Sequence, residues 1–226
     1  MSELPVIGAQ LCVLDIDRHR DWLFEKNRDL ELPEFCLADI LNAPAPFIGM
    51  AKAKLDGWHG RLGIHGPFSG FELDVKDAEI RAVVQKRIDQ ALDVCAALEA
   101  RQMVLHSPYD VWDHANLDNG PGDRARHVRA VLETLKPALD RAEALGVVLV
   151  LENIKDVDPS ARAAVVDAAD SPALRLSVDT GHALWAHVTC GAPPVDRFIS
   201  QAGANLAHIH LQDADGYADR HWPLGR

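Results

Sequence analysis

The side chains best suited to bind a metal ion stand at the ends of five consecutive strand-like segments. In chain order these residues are His65, His106, Glu152, Asp179 and His210. Imidazole and carboxylate groups are ligands that zinc, manganese and similar divalent ions prefer. The pattern therefore predicts a metal site, provided that the fold gathers these strand ends in one place.

Further candidate ligands lie shortly after the last two of these segments. His182 follows Asp179 within the motif DTGH, and the loop GYADRHWPLG contains Asp219 and His221. In a (β/α)8 barrel, the C-terminal ends of all strands surround a single site. We therefore expect His182, Asp219 and His221 to bind substrate or an additional metal ion, together with His65 and His106.

Glu152 and Asp179 are the most informative members of the set. Each ends an otherwise apolar segment, and buried carboxylates are rare unless they are paired or bound to metal. A lone histidine at a strand end is more often hydrogen-bonded within the protein than bound to metal. Glu152, Asp179 and His210 together form the predicted metal site. Histidines outside the strand ends are predicted to be solvated; they are His19, His59, His114, His127 and His187.

Strand-like segments alternate with helical patterns along the chain. Short apolar strands separated by helices are typical of a parallel sheet covered by helices, and we predict a (β/α)8 TIM barrel forming a single domain over residues 1–226. The predicted helices span Ala78–Ala100, Arg124–Leu145, Ser160–Ala169 and Val195–Ala202. The predicted strands are Val6–Leu14, Leu30–Phe35, Leu62–His65, Met103–His106, Val147–Glu152, Leu174–Asp179 and Leu206–Leu211.

The strand count is one short of a closed barrel. Such a barrel requires eight strands, and the sequence supplies seven before Arg226. We expect strand eight and its helix to lie beyond residue 226, so that the chain is a C-terminally truncated form of the domain.

Composition and charge narrow the classes of partner. A chain of 226 residues with 48% hydrophobic and 25% charged residues is typical of a globular domain with a substantial core. The net charge of −11 argues against a nucleic-acid partner and against anionic membrane surfaces. We predict neither a signal peptide nor a membrane-spanning segment, because the first residues lack a basic region and no apolar run is long enough to cross a bilayer. We expect a cytoplasmic protein, and a homodimer is left open.

The motifs around the candidate ligands resemble those of a known superfamily. They are IHGPF, VLHSP, VLEN, SVDTGH, HIHLQDADG and DRHWPLG, and the likeness runs from VIGAQ to HWPLGR. In this order they are similar to the xylose-isomerase-like barrel superfamily. That superfamily includes sugar and sugar-phosphate isomerases and epimerases, inositol-catabolism dehydratases and the apurinic DNA-repair endonucleases.

The resemblance implies roles for individual residues. Glu152, Asp179 and His210 match the shared metal ligands, and a fourth ligand, a glutamate on strand eight, would lie beyond Arg226. In the endonuclease branch a three-zinc cluster is completed at further positions, and the residues that match them here are His65, His106, His182, Asp219 and His221.

Two enzyme classes follow from this comparison. The first is a metal-dependent isomerase or epimerase of a small sugar, sugar phosphate or polyol. There Glu152 would remove a proton beside a carbonyl to give an enediolate. Zinc or manganese is favoured as the ion, with magnesium or cobalt as alternatives.

The second class is a multi-metal phosphoester hydrolase related to the apurinic endonucleases. A non-catalytic barrel that binds a small molecule is a third hypothesis.

Overall fold

A computed structural model of the chain describes residues 6–226. Within these residues, seven strands form one sheet in sequence order, and every pair of neighbours is parallel. The fold class is therefore confirmed as α/β with barrel topology, and no eighth strand closes the sheet within this part of the chain. The strands are β1 (Gly8–Gln10), β2 (Asp29–Leu32), β3 (Leu62–His65), β4 (Gln102–His106), β5 (Val148–Glu152), β6 (Leu174–Asp179) and β7 (Leu206–His210).

Helices connect the strands, as parallel pairing requires. Short 3₁₀ segments occur at Val13–His19, Glu34–Cys36 and Gly203–Asn205. The α-helices are α1 (Arg20–Glu25), α2 (Ala38–Asn42), α3 (Ala45–Lys54), α4 (Ala78–Leu98), α5 (Val111–Asn116), α6 (Asp123–Leu145), α7 (Pro159–Ala169), α8 (Thr180–Cys190) and α9 (Val195–Ala202). None of the helices in the described residues is both long and apolar enough to cross a membrane.

The two long helices begin and end where their sequences predict. Asp77 accepts hydrogen bonds from the backbone of Glu79 and Ile80 and so caps α4 at its N-terminus. Gly146 follows α6 with a φ of 66°, the left-handed conformation that glycine adopts without strain. Both helices bury one apolar face against the sheet and against each other, including Val84 and Ile88 of α4.

The sheet curls into a barrel-like shape, and a contact across its interior demonstrates this. β2 and β7 are five inter-strand steps apart, which would separate them by about 24 Å in a flat sheet. Yet Glu31 Oε2 on β2 lies 3.1 Å from His210 Nε2 on β7. The interior of the curled sheet is therefore narrow enough for side chains from opposite walls to meet.

Side chains alternate between the interior of the barrel and the helical layer. On β6, Leu174, Leu176 and Val178 are buried in the hydrophobic core beneath the helices. Ser177 points the other way, and its Oγ lies 2.9 Å from His208 Nδ1 inside the barrel. This is the orientation that the period-two pattern of the sequence predicts.

The structure corrects several predicted boundaries near the N-terminus. The predicted strand Val6–Leu14 is only Gly8–Gln10, and a 3₁₀ segment begins at Val13. The predicted strand Leu30–Phe35 is shifted to Asp29–Leu32, and Phe35 lies in the 3₁₀ segment Glu34–Cys36. Five helices, α1, α2, α3, α5 and α8, were not predicted at all.

Candidate metal centre

Glu152, Asp179 and His210 end β5, β6 and β7, and their side chains converge. Nδ1 of His210 contacts Oε1 of Glu152 directly and lies 4.0 Å from Oδ2 of Asp179. Both carboxylates are buried, with 1% or less of their surface exposed. Three adjacent strand ends therefore direct two acidic groups and one imidazole toward a common point.

A local irregularity in β7 aligns its histidines with this point. The pairing of β6 with β7 shifts between Leu176 and Ser177, so that Ser177 pairs with His208 and Asp179 with His210. In a regular pairing, each of those positions would face a residue one place earlier on β7. Because a one-residue shift moves side chains to the other face of a sheet, the irregularity places both histidines inside the barrel.

The charges around Glu152 keep its carboxylate ionised. Burial opposes ionisation, but the positive charge and hydrogen bond of His210, with the charges of His65 and His182, lower the pKa of Glu152 far below its usual 4.5. Burial also opposes ionisation of His210 and alone would lower its pKa, but the carboxylates of Glu152 and Glu31 raise that pKa well above 6.5. Without a metal ion, a positively charged His210 therefore lies between two carboxylates.

His65 and His106, from β3 and β4, approach Oε2 of Glu152, the carboxylate oxygen that His210 does not contact. Their Nε2 atoms lie 3.9 and 3.8 Å from Oε2 of Glu152 and 3.3 Å from each other. Nδ1 of His65 lies 3.0 Å from the carbonyl oxygen of Gly66, to which it donates when protonated. Burial, together with the charge of His65, lowers the pKa of His106 to about 3, so His106 is a neutral imidazole able to bind a cation.

Asp179 and His182 are fixed by the start of α8. Asp179 caps the helix, accepting a hydrogen bond of 2.8 Å from the backbone N–H of His182. The imidazole of His182 has Nδ1 2.9 Å from the carbonyl oxygen of Asn153. This contact leaves Nε2 of His182 directed at Asp219, 3.3 Å from its Oδ1.

Asp219 and His221 reach the centre from the loop after β7. Oδ1 of Asp219 lies 2.9 Å from Nε2 of His221, and a pair of backbone hydrogen bonds between Asp213 and Trp222 closes the loop. Burial would lower the pKa of His182, but its hydrogen bond to Asp219 and the charge of Asp179 raise it to about 9. The loop therefore provides a carboxylate beside the imidazole of α8.

The structure thus brings together all eight predicted site residues. His210 belongs to a group of potential ligands with Glu31 and His208. The other seven form three overlapping groups, within each of which the potential ligand atoms lie within 4.8 Å of one another, and the roles of all eight as ligands and base stay predictions. The groups are His65 with His106 and Glu152, then Glu152 with Asp179 and His182, and finally His182 with Asp219 and His221.

Glu31 is a site residue that the sequence did not reveal. It lies inside the barrel, 6% exposed, in contact with His210 and 3.6 Å from Nε2 of His208. Burial would raise its pKa, but His210, followed by His65 and His208, lowers it to about 2. The available signal was its position on a strand between Leu30 and Leu32, which alternation would have pointed inward.

Two amides also hold Asp179 in place. Asn153 accepts a hydrogen bond of 2.9 Å from the backbone N–H of Asp179 and donates one of 3.0 Å to its carbonyl oxygen. Nε2 of Gln212 lies 2.8 and 3.0 Å from the two carboxylate oxygens of Asp179. Asparagine in VLEN and glutamine in HLQD are therefore part of the site's framework.

A buried ion pair supports β5 and β6 from the helical side. Nε of Arg162 lies 2.8 Å from Oδ1 of Asp156, and both side chains are almost fully buried. Nη1 of Arg162 donates to the carbonyl oxygens of Leu151 and Ser177, 2.6 and 2.8 Å away. Leu151 directly precedes Glu152, and Ser177 lies two residues before Asp179. The guanidinium therefore fixes the backbone at the ends of both β5 and β6.

An open cavity of about 610 Å³ adjoins the histidines of β3 and β4. Phe68 lines it and stacks on the ring of His106, with centroids 3.9 Å apart. The other lining residues come from the loop after β3 and are Gly70, Phe71, Glu72, Asp74, Val75 and Lys76. This volume is in the range of clefts that bind small molecules.

Two histidines predicted to be solvated are instead partly buried near this cavity. His127 lies 3.7 Å from Asp74 and forms a further group of potential ligands with Asp74 and Asp113. Tyr109 stacks on both His127 and His114. The prediction of solvent exposure for His114 and His127 was wrong because these helical residues face the loops at the carboxyl end of the sheet.

Comparison with known proteins shows the family to which the chain belongs. A model of the family described as xylose isomerase-like TIM barrel matches residues 50–226, and the chain belongs to this family. Among curated sequences it is 25% identical over 183 residues to "Uncharacterized protein MJ1311" of Methanocaldococcus jannaschii. That match covers 75% of the chain, and the chain spans 57% of the relative's length.

Solved structures of other proteins share the fold. The TTHB071 protein of Thermus thermophilus, from a crystal soaked with ZnCl2, is 26% identical with a TM-score of 0.76, covering 98% of this chain and 83% of that one. A D-tagatose 3-epimerase-like protein is 21% identical with a TM-score of 0.74, covering 98% and 81%.

Proposed function

We propose that this chain is a divalent-metal-dependent isomerase or epimerase of a small carbohydrate. The observation that carries the proposal is the convergence of Glu152, Asp179 and His210 at the ends of three adjacent strands. The D-tagatose 3-epimerase-like protein that shares the fold supports the carbohydrate class. Zinc or manganese is the ion that best matches the ligand types.

The donor set fits a divalent ion. Nδ1 of His210 contacts Oε1 of Glu152 and lies 4.0 Å from Oδ2 of Asp179, and these two distances are compatible with a shared ion at bond lengths of about 2.0–2.2 Å. A cation would also relieve the proximity of two buried carboxylates. When bound, the ion would polarise a substrate carbonyl and stabilise negative charge that develops on oxygen.

Glu152 is proposed to act as ligand and as base. As a base, it would remove the proton from the carbon beside the carbonyl, giving an enediolate. The lowered pKa of Glu152 keeps it ionised and suits a ligand, but it also weakens the carboxylate as a proton acceptor. Of the two roles, that of ligand is the better supported by the charges of the metal-free protein.

The cavity and its charges support the proposed substrate class. Phe68 and Phe71 offer apolar ring faces, and Glu72 and Lys76 offer polar groups that can bind hydroxyls. The side chains that surround the metal ligands are histidines and carboxylates, and the net charge is −11. These charges favour a neutral carbohydrate over a polyanion such as nucleic acid.

A multi-metal phosphoester hydrolase is the second candidate, and a specific observation favours it. The three ligand groups overlap at Glu152 and His182, so neighbouring ions could share these residues. Clustered metal ions clamp both oxygens of an in-line displacement at phosphorus. In such a centre, His65 and His106 would bind one ion, and Asp219 and His221 another.

Metal content and substrate preference together separate the two candidates. We would measure metals per chain by elemental analysis, and assay ketohexose epimerisation and cleavage of bis(p-nitrophenyl) phosphate. One metal per chain with epimerisation, unchanged in metal content by His65→Ala, supports the isomerase. Two or three metals with phosphoester cleavage, and loss of one metal in His65→Ala, would overturn it. Metal binding without either activity would favour a binding protein.

A further inference from the structure

Glu31 is a carboxylate inside the barrel that the proposed chemistry does not yet use. It lies at the third position of the four-residue strand β2, between Leu30 and Leu32, which are buried in the hydrophobic core. Glu31 faces the opposite side, and 6% of its surface is exposed. A carboxylate at this depth needs hydrogen-bond partners to offset the loss of water.

Two partners hold the carboxylate of Glu31, one on each oxygen. Oε1 accepts a hydrogen bond of 2.8 Å from Nε2 of Gln10, the residue paired with Glu31 on the adjacent strand β1. Oε2 lies 3.1 Å from Nε2 of His210. Glu31 is thereby fixed by its own side of the barrel while it reaches the opposite wall.

The two ring nitrogens of His210 face different groups. Nε2 faces Glu31, and Nδ1 faces Glu152 and Asp179. A neutral imidazole has one N–H donor and one lone pair. If Nε2 donates its proton to Glu31, the lone pair is on Nδ1 and points at the two carboxylates of the metal site.

We propose that Glu31 is a positioning residue that sets the tautomer and the ring orientation of His210. This inference rests on the metal centre of the proposed function, and Glu31 acts on that centre through the imidazole. Its carboxylate accepts a hydrogen bond from the Nε2–H of His210 and so directs Nδ1 toward the ion bound by Glu152 and Asp179. Outer carboxylates of this kind raise the basicity of a ligating histidine, and their loss costs about 10- to 100-fold in metal affinity.

The tautomer can be observed directly in the wild-type protein. Nitrogen-15 NMR of the zinc-loaded protein, with His210 assigned through His210→Gln, distinguishes a metallated nitrogen from a protonated one. We expect Nε2 to bear the proton and Nδ1 to bind zinc. Zinc on Nε2 would overturn the proposal, since that nitrogen would then be unable to donate to Glu31.

Metal affinity tests the same role through substitution. Cobalt titrations followed by the visible spectrum would compare the wild type with Glu31→Gln and Glu31→Ala. Glutamine keeps the size and one acceptor, so we expect weakening of about 10-fold, and of about 100-fold for alanine. Glu34→Gln is the matched control. Glu34 is a half-buried carboxylate three residues after Glu31, and it accepts a hydrogen bond from the backbone N–H of Val13 rather than from a histidine.

The outcomes separate this inference from the proposed function. Cobalt affinity equal in the wild type, Glu31→Gln and Glu31→Ala would overturn the role of Glu31 and leave the metal centre intact. A wild-type protein that binds no cobalt would overturn the metal centre itself, and the role of Glu31 with it. Loss of affinity in Glu34→Gln equal to that in Glu31→Gln would show a general effect on packing and would also overturn the proposal.

Discussion

His210 and Glu152 come from strands separated by β6, yet Nδ1 of His210 contacts Oε1 of Glu152. The contact requires the sheet to curve around Asp179, which ends the strand between them. In the metal-free protein a proton on His210 occupies the position between these groups. A metal ion that binds the same atoms must displace that proton, so binding is expected to release protons.

Substituting Glu152 tests the centre most directly. Glu152→Gln is expected to preserve the fold, because the amide is nearly isosteric, and to lower turnover more than 10-fold, because an amide is a poor ligand and no base. Activity assays and circular dichroism would measure the two effects. Glu133→Gln, on the exposed side of α6, is the control. Turnover above about a tenth of the wild-type rate would count against the role of Glu152 as ligand and base.

Metal binding should stabilise the folded chain. An ion at 100 times its dissociation constant adds about 2.7 kcal/mol, which corresponds to a rise in Tm of roughly 5–10 °C for a chain of this size. Thermal unfolding with a chelator and with zinc would measure the shift. We expect His210→Ala to remove most of it. His59→Ala, near the opposite end of β3, should retain it, and an equal loss in both variants would argue against this site.

The buried pair of Asp156 and Arg162 is expected to be important for stability. Asp156→Asn would leave the guanidinium of Arg162 buried without a counter-charge, at a cost of about 3–5 kcal/mol. Denaturation with urea would measure it. Asp140→Asn removes an exposed pair with Lys136 and should cost at most about 1 kcal/mol. Similar losses for the two variants would show that the buried pair has no special role.

The pKa of His182 makes the stability of the metal-free protein depend on pH. Its value is about 9 in the folded chain against 6.5 for the free side chain. A histidine whose pKa is higher in the folded chain stabilises the fold fully at pH values below its unfolded pKa. This stabilisation is lost as the pH rises through the folded pKa. We therefore expect the free energy of unfolding to fall between about pH 6.5 and 9.

Chelated samples denatured at pH 6 and pH 9 would test this dependence. The decrease should be smaller in His182→Gln, which has no titrating imidazole at this position. Asp219→Asn should also reduce it, because Asp219 is the hydrogen-bond partner that raises the pKa of His182. An identical pH dependence in wild type and His182→Gln would contradict the assignment.

The sequence predicted the strand ends well because two signals coincide there. Leu62–His65 and Leu174–Asp179 have the predicted bounds, since each is an apolar run that stops at a polar residue. The ligand-type residues at these ends were recognisable by type and order alone. Their convergence followed from the rule that parallel barrels gather the carboxyl ends of their strands.

Glu31 escaped prediction because its importance comes from the opposite wall of the barrel. An acidic residue between two leucines on a short strand has the same pattern as a strand with one buried face and one face exposed to solvent. The pattern alone therefore does not mark Glu31 as a buried site residue. Its partner His210 lies 179 residues later, and their contact depends on how tightly the sheet curls. Local sequence patterns do not encode that curvature, and the same limit applies to the loop contact between His182 and Asp219.

Gly181 has a consequence for how Asp179 is held. A methyl group on it would lie 2.6 Å from Cδ of Gln212, so the missing side chain is what allows Gln212 to reach across α8 to Asp179. Oε1 of the same amide accepts the backbone N–H of His221, 2.7 Å away. One amide thus joins the loop after β7 to Asp179. A side chain at position 181 would therefore disturb the carboxylate and the loop together.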